Sequence, residues 1–146
     1  MSASHIPKGL QAVTPYFTVN GAKEFIAFLT TAYGAREKLR FLRDDGSVAH
    51  SALDLCDCVV EVSDARPEYP ASLMAIHLYV KDVDDIHRRA VEAGAASQME
   101  PVDQPYGERG SFVKDKWGNS WYLATHTGDV PIEQIEERMN AKLEMK

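Results

Sequence analysis

No apolar stretch in the chain approaches the roughly 20 residues of a membrane-spanning helix, and the opening Met1-Ser2-Ala3-Ser4-His5 lacks a basic region followed by an apolar one. Both absences predict a soluble, untargeted, cytoplasmic protein with no membrane partner. Basic charge is also short. Sixteen Lys and Arg stand against 22 Asp and Glu, a formal charge of −6, and no predicted helix carries a basic stripe. That balance disfavours phosphate backbones, so no nucleic-acid partner is expected. Cysteine is scarce too. Cys56 and Cys58 are one residue apart in a segment that reads as extended, which keeps them from bridging each other readily and predicts free thiols in a reducing compartment. A soft-metal site would need two further thiolates or imidazoles at matching spacing, and none follow. No serine or cysteine triad is visible either.

What is present reads as one globular domain with a real core: 146 residues, 45% hydrophobic and 26% charged. The chain repeats itself. Val13 to Val19 (Val-Thr-Pro-Tyr-Phe-Thr-Val) recurs in pattern as Met74 to Val80 (Met-Ala-Ile-His-Leu-Tyr-Val), and both read as buried strands. Each leads into an amphipathic helix, with Ala22, Phe25, Ile26 and Leu29 at helical spacing in the first and Val83, Ile86 and Ala90 in the second. Gly34 and Gly94 then stand where a left-handed C-terminal cap would penalise a β-carbon.

Three extended segments follow each helix: 38–42, 48–55 and 58–63 in the first half, 98–103, 110–115 and 120–125 in the second. Asp44-Asp45-Gly46 and Trp117-Gly118-Asn119 supply turns. The predicted fold class is α+β: two βαβββ modules, about 10–66 and 72–127, forming a curved, cup-like mixed sheet within residues 1–130, joined near Pro67, Pro70 and Ser72. The tail, 131–146, reads as a C-terminal helix. Ile132, Ile135, Met139 and Leu143 share one face, with Glu133, Glu136, Glu137 and Lys142 elsewhere, which suits packing on the domain or on a partner subunit.

With the repeat in view, the chain from about Leu10 to Val130 resembles the glyoxalase, bleomycin-resistance and extradiol-dioxygenase group, the vicinal oxygen chelate superfamily. Its PhnB-like branch is the most similar. The resemblance is carried by Thr14-Pro15-Tyr16, by His77-Leu78-Tyr79-Val80-Lys81-Asp82-Val83-Asp84, by Asp103-Gln104-Pro105-Tyr106-Gly107-Glu108-Arg109, and by the run from Asp115-Lys116-Trp117-Gly118-Asn119 through His126. It specifies a fold, and that fold hosts isomerases, dioxygenases, thiol transferases and drug-sequestering proteins, so function has to come from the site.

In metal-dependent members the first and last strand of each module supply one ligand apiece, and the resemblance puts those positions on Thr14, Glu61, Ala75 and Tyr122. Only the carboxylate suits a divalent metal. The usual site therefore reads as dismantled, and no cofactor is expected, although a relocated divalent-metal triad of His50, Glu61 and His77 stays open as a rival. Strand alternation turns Val13, Phe17 and Val19 toward the helices and leaves Thr14, Tyr16 and Thr18 in the cup; it likewise leaves Ala75, His77 and Tyr79 there.

The first reading is a protein that binds a small, aromatic organic molecule, with Thr14, Tyr16, Glu61, His77, Tyr79 and Tyr122 lining the cup. The alternative is a metal-dependent lyase, isomerase or dioxygenase around Glu61 and His77, or a metal-free enzyme with Glu61 as the catalytic base. Trp117 and Trp121 read as structural, Asp115 and Arg109 as pins for a loop over the cup, and His126 as a rim residue. Members of the family usually pair so that two subunits complete each cup, which implies a homodimer.

Overall fold

Helical spacing of Phe25, Ile26, Leu29 and Ala32 produces α1 (Ala22–Tyr33), with all four side chains buried. No side chain of its own caps its start; instead Asp64 reaches across and accepts from the Gly21 and Ala22 N–H groups at 3.1 and 2.8 Å. Gly34 ends the helix in the left-handed conformation, φ 72°. Around it lie β1 (Tyr16–Val19), β2 (Arg36–Leu42), β3 (Val48–Leu55) and β4 (Cys58–Asp64). The second module repeats the order with β5 (Ala75–Tyr79), α2 (Val83–Glu92), β6 (Ala96–Gln104), β7 (Glu108–Lys114) and β8 (Ser120–His126), followed by α3 (Ile132–Glu144). These elements come from a computed structural model that describes residues 3–144, with side chains through residue 141.

Two four-stranded mixed sheets result, ordered β1-β4-β3-β2 and β5-β8-β7-β6. In each, the first strand runs parallel to the last, Tyr16 opposite Glu61 and His77 opposite Tyr122, and the other pairings are antiparallel. The α+β architecture of two βαβββ modules with a terminal helix is thus the one the repeat predicts. α2 ends slightly differently from α1: Ala93 is the cap in right-handed geometry, and Gly94, at φ 113°, makes the turn out of the helix.

One apolar core serves both modules. Phe17 of β1 stacks on Trp121 of β8 at 5.7 Å between ring centroids, Tyr33 lies 4.7 Å from the same indole, and α1 packs on α2. Aromatic contacts of this kind add about 0.5–1.5 kcal/mol each beyond simple burial. No described strand of one sheet adjoins a strand of the other. Because both helix-bearing faces turn toward the shared core, the opposite faces of the two sheets look outward, and these outer faces carry the site.

Two expectations need correcting. Val13 is 84% exposed rather than buried, and β1 begins only at Tyr16. Before Pro15 the edge of β4 is satisfied by a side chain: the Gln11 amide donates to the Val59 carbonyl at 2.6 Å and accepts from the Val59 N–H at 3.2 Å. Thr14 consequently leaves the strand and donates its hydroxyl to the Gln11 carbonyl. Arg109 does not pin a loop over an outer face. It lies opposite Thr125 on the helix side, where it binds Asp84 at the start of α2 at 2.8 Å and Asp103 at 3.3 Å. α3, expected to pack on the domain or on a partner subunit, packs on no other described element of its own chain. Ile132 and Met139 stay exposed and Ile135 is half-buried, while Arg138 donates to the Pro105 carbonyl at 3.0 Å. Lys142 and Leu143 fall outside the described side chains. No described helix is long and apolar enough to cross a membrane.

Candidate functional site

On the first sheet, alternation along β4 buries Val60 and Val62 beneath the helices and turns Glu61 outward. Tyr16 flanks it on β1 and Ala52 on β3. His50, next on the same face of β3, brings Nε2 to 3.4 Å from the Glu61 carboxylate, and its ring lies 5.9 Å from that of Tyr16. Both members of the pair are half-buried, because Pro7, Lys8 and Leu10 lie over this part of the sheet and leave a pocket of about 290 Å³ against Lys38, His50 and Glu61. A His–carboxylate pair in such a pocket can hold and orient a polar group or exchange a proton with it.

The second sheet carries a denser cluster. His77 stacks on Tyr79 with ring centroids 4.5 Å apart, and Phe112 stacks on Tyr122 at the same separation. Against the first couple sits Glu108, a residue of the 103–109 motif that the sequence reading left without a role. One carboxylate oxygen lies 3.6 Å from His77 Nε2, and the other accepts from the Tyr79 hydroxyl at 3.3 Å. Its side chain is only 12% exposed. Gly110 lies beside it: a β-carbon there would meet that carboxylate at 3.6 Å, an ordinary van der Waals contact. Partial desolvation, reinforced by the negative charge of Glu108, raises the pKa of both the Tyr79 and Tyr106 phenols.

The lining residues read from the sequence therefore fall on two faces. Tyr16 and Glu61, with His50, share one sheet; His77, Tyr79 and Tyr122 share the other; Ala75 begins β5, and Thr14 stands off the strand. Glu108, Tyr106 and Phe112 were missed as site residues. Phe112 was recoverable in principle, since pairing β7 with β8 sets it opposite Tyr122. His126, exposed, pairs with Asp129 at 3.1 Å. His87 is buried elsewhere, between the hydroxyls of Ser111 and Ser97 at 2.9 Å each, and ties α2 to β7 and β6.

Thr14, Glu61, Ala75 and Tyr122 offer one good metal ligand, and His77 is on a different sheet from His50 and Glu61. Among the described residues no three His, Cys, Asp or Glu side chains gather closely enough to hold a metal ion. The donor set of a single chain does not fit the divalent metal of metal-dependent members of the family. A larger cleft of about 740 Å³ lies between the modules, but Lys81, Asp57, Asp82 and Asp85 give its walls charges of both signs, and it touches the aromatic cluster only at Tyr79.

Similarity to known proteins agrees with this fold. Residues 10–123 match the model of the Glyoxalase/Bleomycin resistance protein/Dioxygenase superfamily. An uncharacterised protein of Mycobacterium bovis, Mb0911c, is 32% identical over 142 residues, spanning 90% of this chain and 93% of that one. Among solved structures, TioX from Micromonospora sp. ML1 superposes with a TM-score of 0.64 at 27% identity, over 78% of this chain and 95% of its own. A PhnB protein from Bacillus cereus, described as a putative 3-demethylubiquinone-9 3-methyltransferase, shares the fold at TM-score 0.59 and 18% identity, over 79% of this chain and 99% of its own. Two βαβββ modules, helix-free faces bearing the polar residues, and a family match across most of the chain lead to one assignment: this protein belongs to the glyoxalase/bleomycin resistance/dioxygenase superfamily.

Proposed function

We propose that the protein is a metal-free binder of a small, planar organic molecule, in the PhnB-like part of its superfamily, acting in the reducing cytoplasm where Cys56 and Cys58 stay as thiols. The observation that carries this is the pair of stacked aromatic couples on the second sheet's outer face, His77 on Tyr79 and Phe112 on Tyr122, with Glu108 against the first. Tyr79 and Tyr122 are 54% and 43% exposed, so the cluster offers ring faces for stacking and hydroxyls for orientation. Tyr16, His50 and Glu61 on the first sheet form a complementary half.

Because the two outer faces of one chain point apart, a second copy closes the cup, its first sheet covering the second sheet of its partner. Exposed Leu39, Phe41, Met99 and Val102 on the same faces supply apolar area for that contact. The reading predicts a homodimer, twice the 16.3 kDa of the chain by light scattering at micromolar concentration. It also predicts that small aromatic molecules show saturable binding by ligand-observed NMR, which Tyr122→Ala abolishes.

Metal content separates this reading from its rival. Untagged protein should hold no stoichiometric nickel, zinc, manganese or iron. Stoichiometric metal that is lost in both Glu61→Ala and His77→Ala would overturn the metal-free reading in favour of a Lewis-acid enzyme built between subunits.

A further inference from the structure

At the far end of the first sheet's outer face, beyond Tyr16, lies a hollow of about 460 Å³ lined by Tyr16, Thr18, Ser63, Asp64, Arg43 and Arg66. Its two guanidiniums are poorly matched within the chain. Arg43 is half-buried and donates to the Ser47 hydroxyl at 3.1 Å and to the Asp64 carbonyl at 3.4 Å; among the described residues no carboxylate lies within 4.0 Å of it. Arg66 has only a loose contact with Glu68 at 3.9 Å, and its guanidinium sits 5.4 Å from the centre of the Tyr69 ring.

The one acid in the hollow is already engaged. Asp64 accepts from the backbone N–H groups of Gly21, Ala22 and Val48 at 3.1, 2.8 and 2.7 Å, which offsets its charge and aims it at the start of α1. In a chain carrying a net charge of −6, two guanidiniums line one hollow with Glu68 no nearer than 3.9 Å to Arg66 and Asp45 acting on Arg43 only from beyond ion-pair distance. Guanidinium donors form a planar fork that suits carboxylate or phosphoryl oxygens, and the hydroxyls of Tyr16, Thr18 and Ser63 add further donors at the wall.

We propose that this hollow is an anion subsite, so that the molecule bound in the cup is an aromatic anion whose ring lies over Tyr16 and His50 and whose carboxylate or phosphoryl group rests on Arg43 and Arg66. The ring half of this assignment rests on the function proposed above; the anion half stands on the arginines alone. Tyr16 joins the two, since it lines the hollow and also flanks His50.

The test uses the full chain with naphthoate, naphthyl phosphate and the neutral isostere naphthamide, in wild type, Arg43→Gln and Arg66→Gln. Charge-assisted hydrogen bonds should make the better of the two anions bind about tenfold tighter than naphthamide in wild type. Both variants should erase that preference and leave naphthamide affinity unchanged, which also reports that they fold. Whichever anion wins identifies the ligand's charged group. Equal binding of the anions and naphthamide by wild type overturns the subsite and spares the aromatic cup. If no naphthalene binds, the arginine Nε resonances are followed with inorganic phosphate: shifts at Arg43 and Arg66 keep the anion site while the cup reading fails, and silence overturns both.

Discussion

Trp121 donates its indole N–H to the Asp115 carboxylate at 2.8 Å, beneath a surface that exposes 0% of the tryptophan and 6% of the aspartate. The same carboxylate accepts from the backbone of Trp117 and of Asn119 at 2.9 Å each and from the Asn119 amide at 3.1 Å. Since Trp121 also stacks on Phe17, this acid fastens the β7–β8 turn to the core that the two modules share. Asp115→Ala leaves several buried donors unpaired and should cost about 3–5 kcal/mol, read from urea unfolding. Asp115→Asn keeps one acceptor and should cost less. A loss under about 1 kcal/mol for the alanine variant would show that water replaces the carboxylate at no great cost.

Two glycines with nearly the same backbone should behave differently. Gly46 and Gly107 have φ of 87° and 88°, but a β-carbon at Gly46 meets open space, whereas one at Gly107 collides with the backbone carbonyl oxygen of Gly128. Gly46→Ala should therefore cost only the left-handed penalty, about 1–2 kcal/mol. Gly107→Ala must in addition push away residues 127 and 128, whose N–H groups bond to the Gly107 carbonyl at 2.8 and 3.3 Å. It should be the more destabilising of the two by at least about 1 kcal/mol in thermal or urea unfolding. Equal costs would mean that this segment yields freely.

Glu108 makes a spectroscopic prediction. Its negative charge, after desolvation, is the cause that holds the Tyr79 and Tyr106 phenols above their ordinary range. A phenolate is disfavoured beside a carboxylate, so Glu108→Gln should lower both titration midpoints, with Tyr79 also released from its 3.3 Å hydrogen bond to the carboxylate. Tyrosine ring NMR against pH measures this. Unmoved midpoints would place the carboxylate elsewhere in solution.

The repeat made the fold legible because each signal was local: helical spacing in Phe25 to Leu29, glycine at 34, and alternation from Val59 to Ser63. The site was legible only strand by strand. Alternation turned Glu61 and His77 to the outer faces, but it holds no information on which faces meet, and the shared core sets these two on opposite sides of the chain. Glu108 escaped notice because its role depends on partners from β5 that lie 31 and 29 residues away in sequence. Val13 misled for the opposite reason: its period was correct, but the Gln11 side chain had taken over the edge of β4.

The Arg109–Asp84 pair ties the β7 strand to the first turn of α2, and its effect on stability should depend on pH in a fixed direction. The hydrogen bond from Arg109, with its charge, holds the Asp84 carboxyl below the usual carboxylate range. A depressed folded pKa means that the unfolded chain binds the proton first. The contribution is therefore fully present above the unfolded value, about 4, and is lost as pH falls through the lower folded value. In Arg109→Met the depression disappears. The gap in urea midpoint between wild type and variant should be widest at about pH 7 and should narrow as pH drops toward about 3. Both groups are substantially exposed, so the gap should also shrink in high salt. A gap that stays constant with both pH and salt would assign the effect of Arg109 to the packing of its aliphatic stem instead.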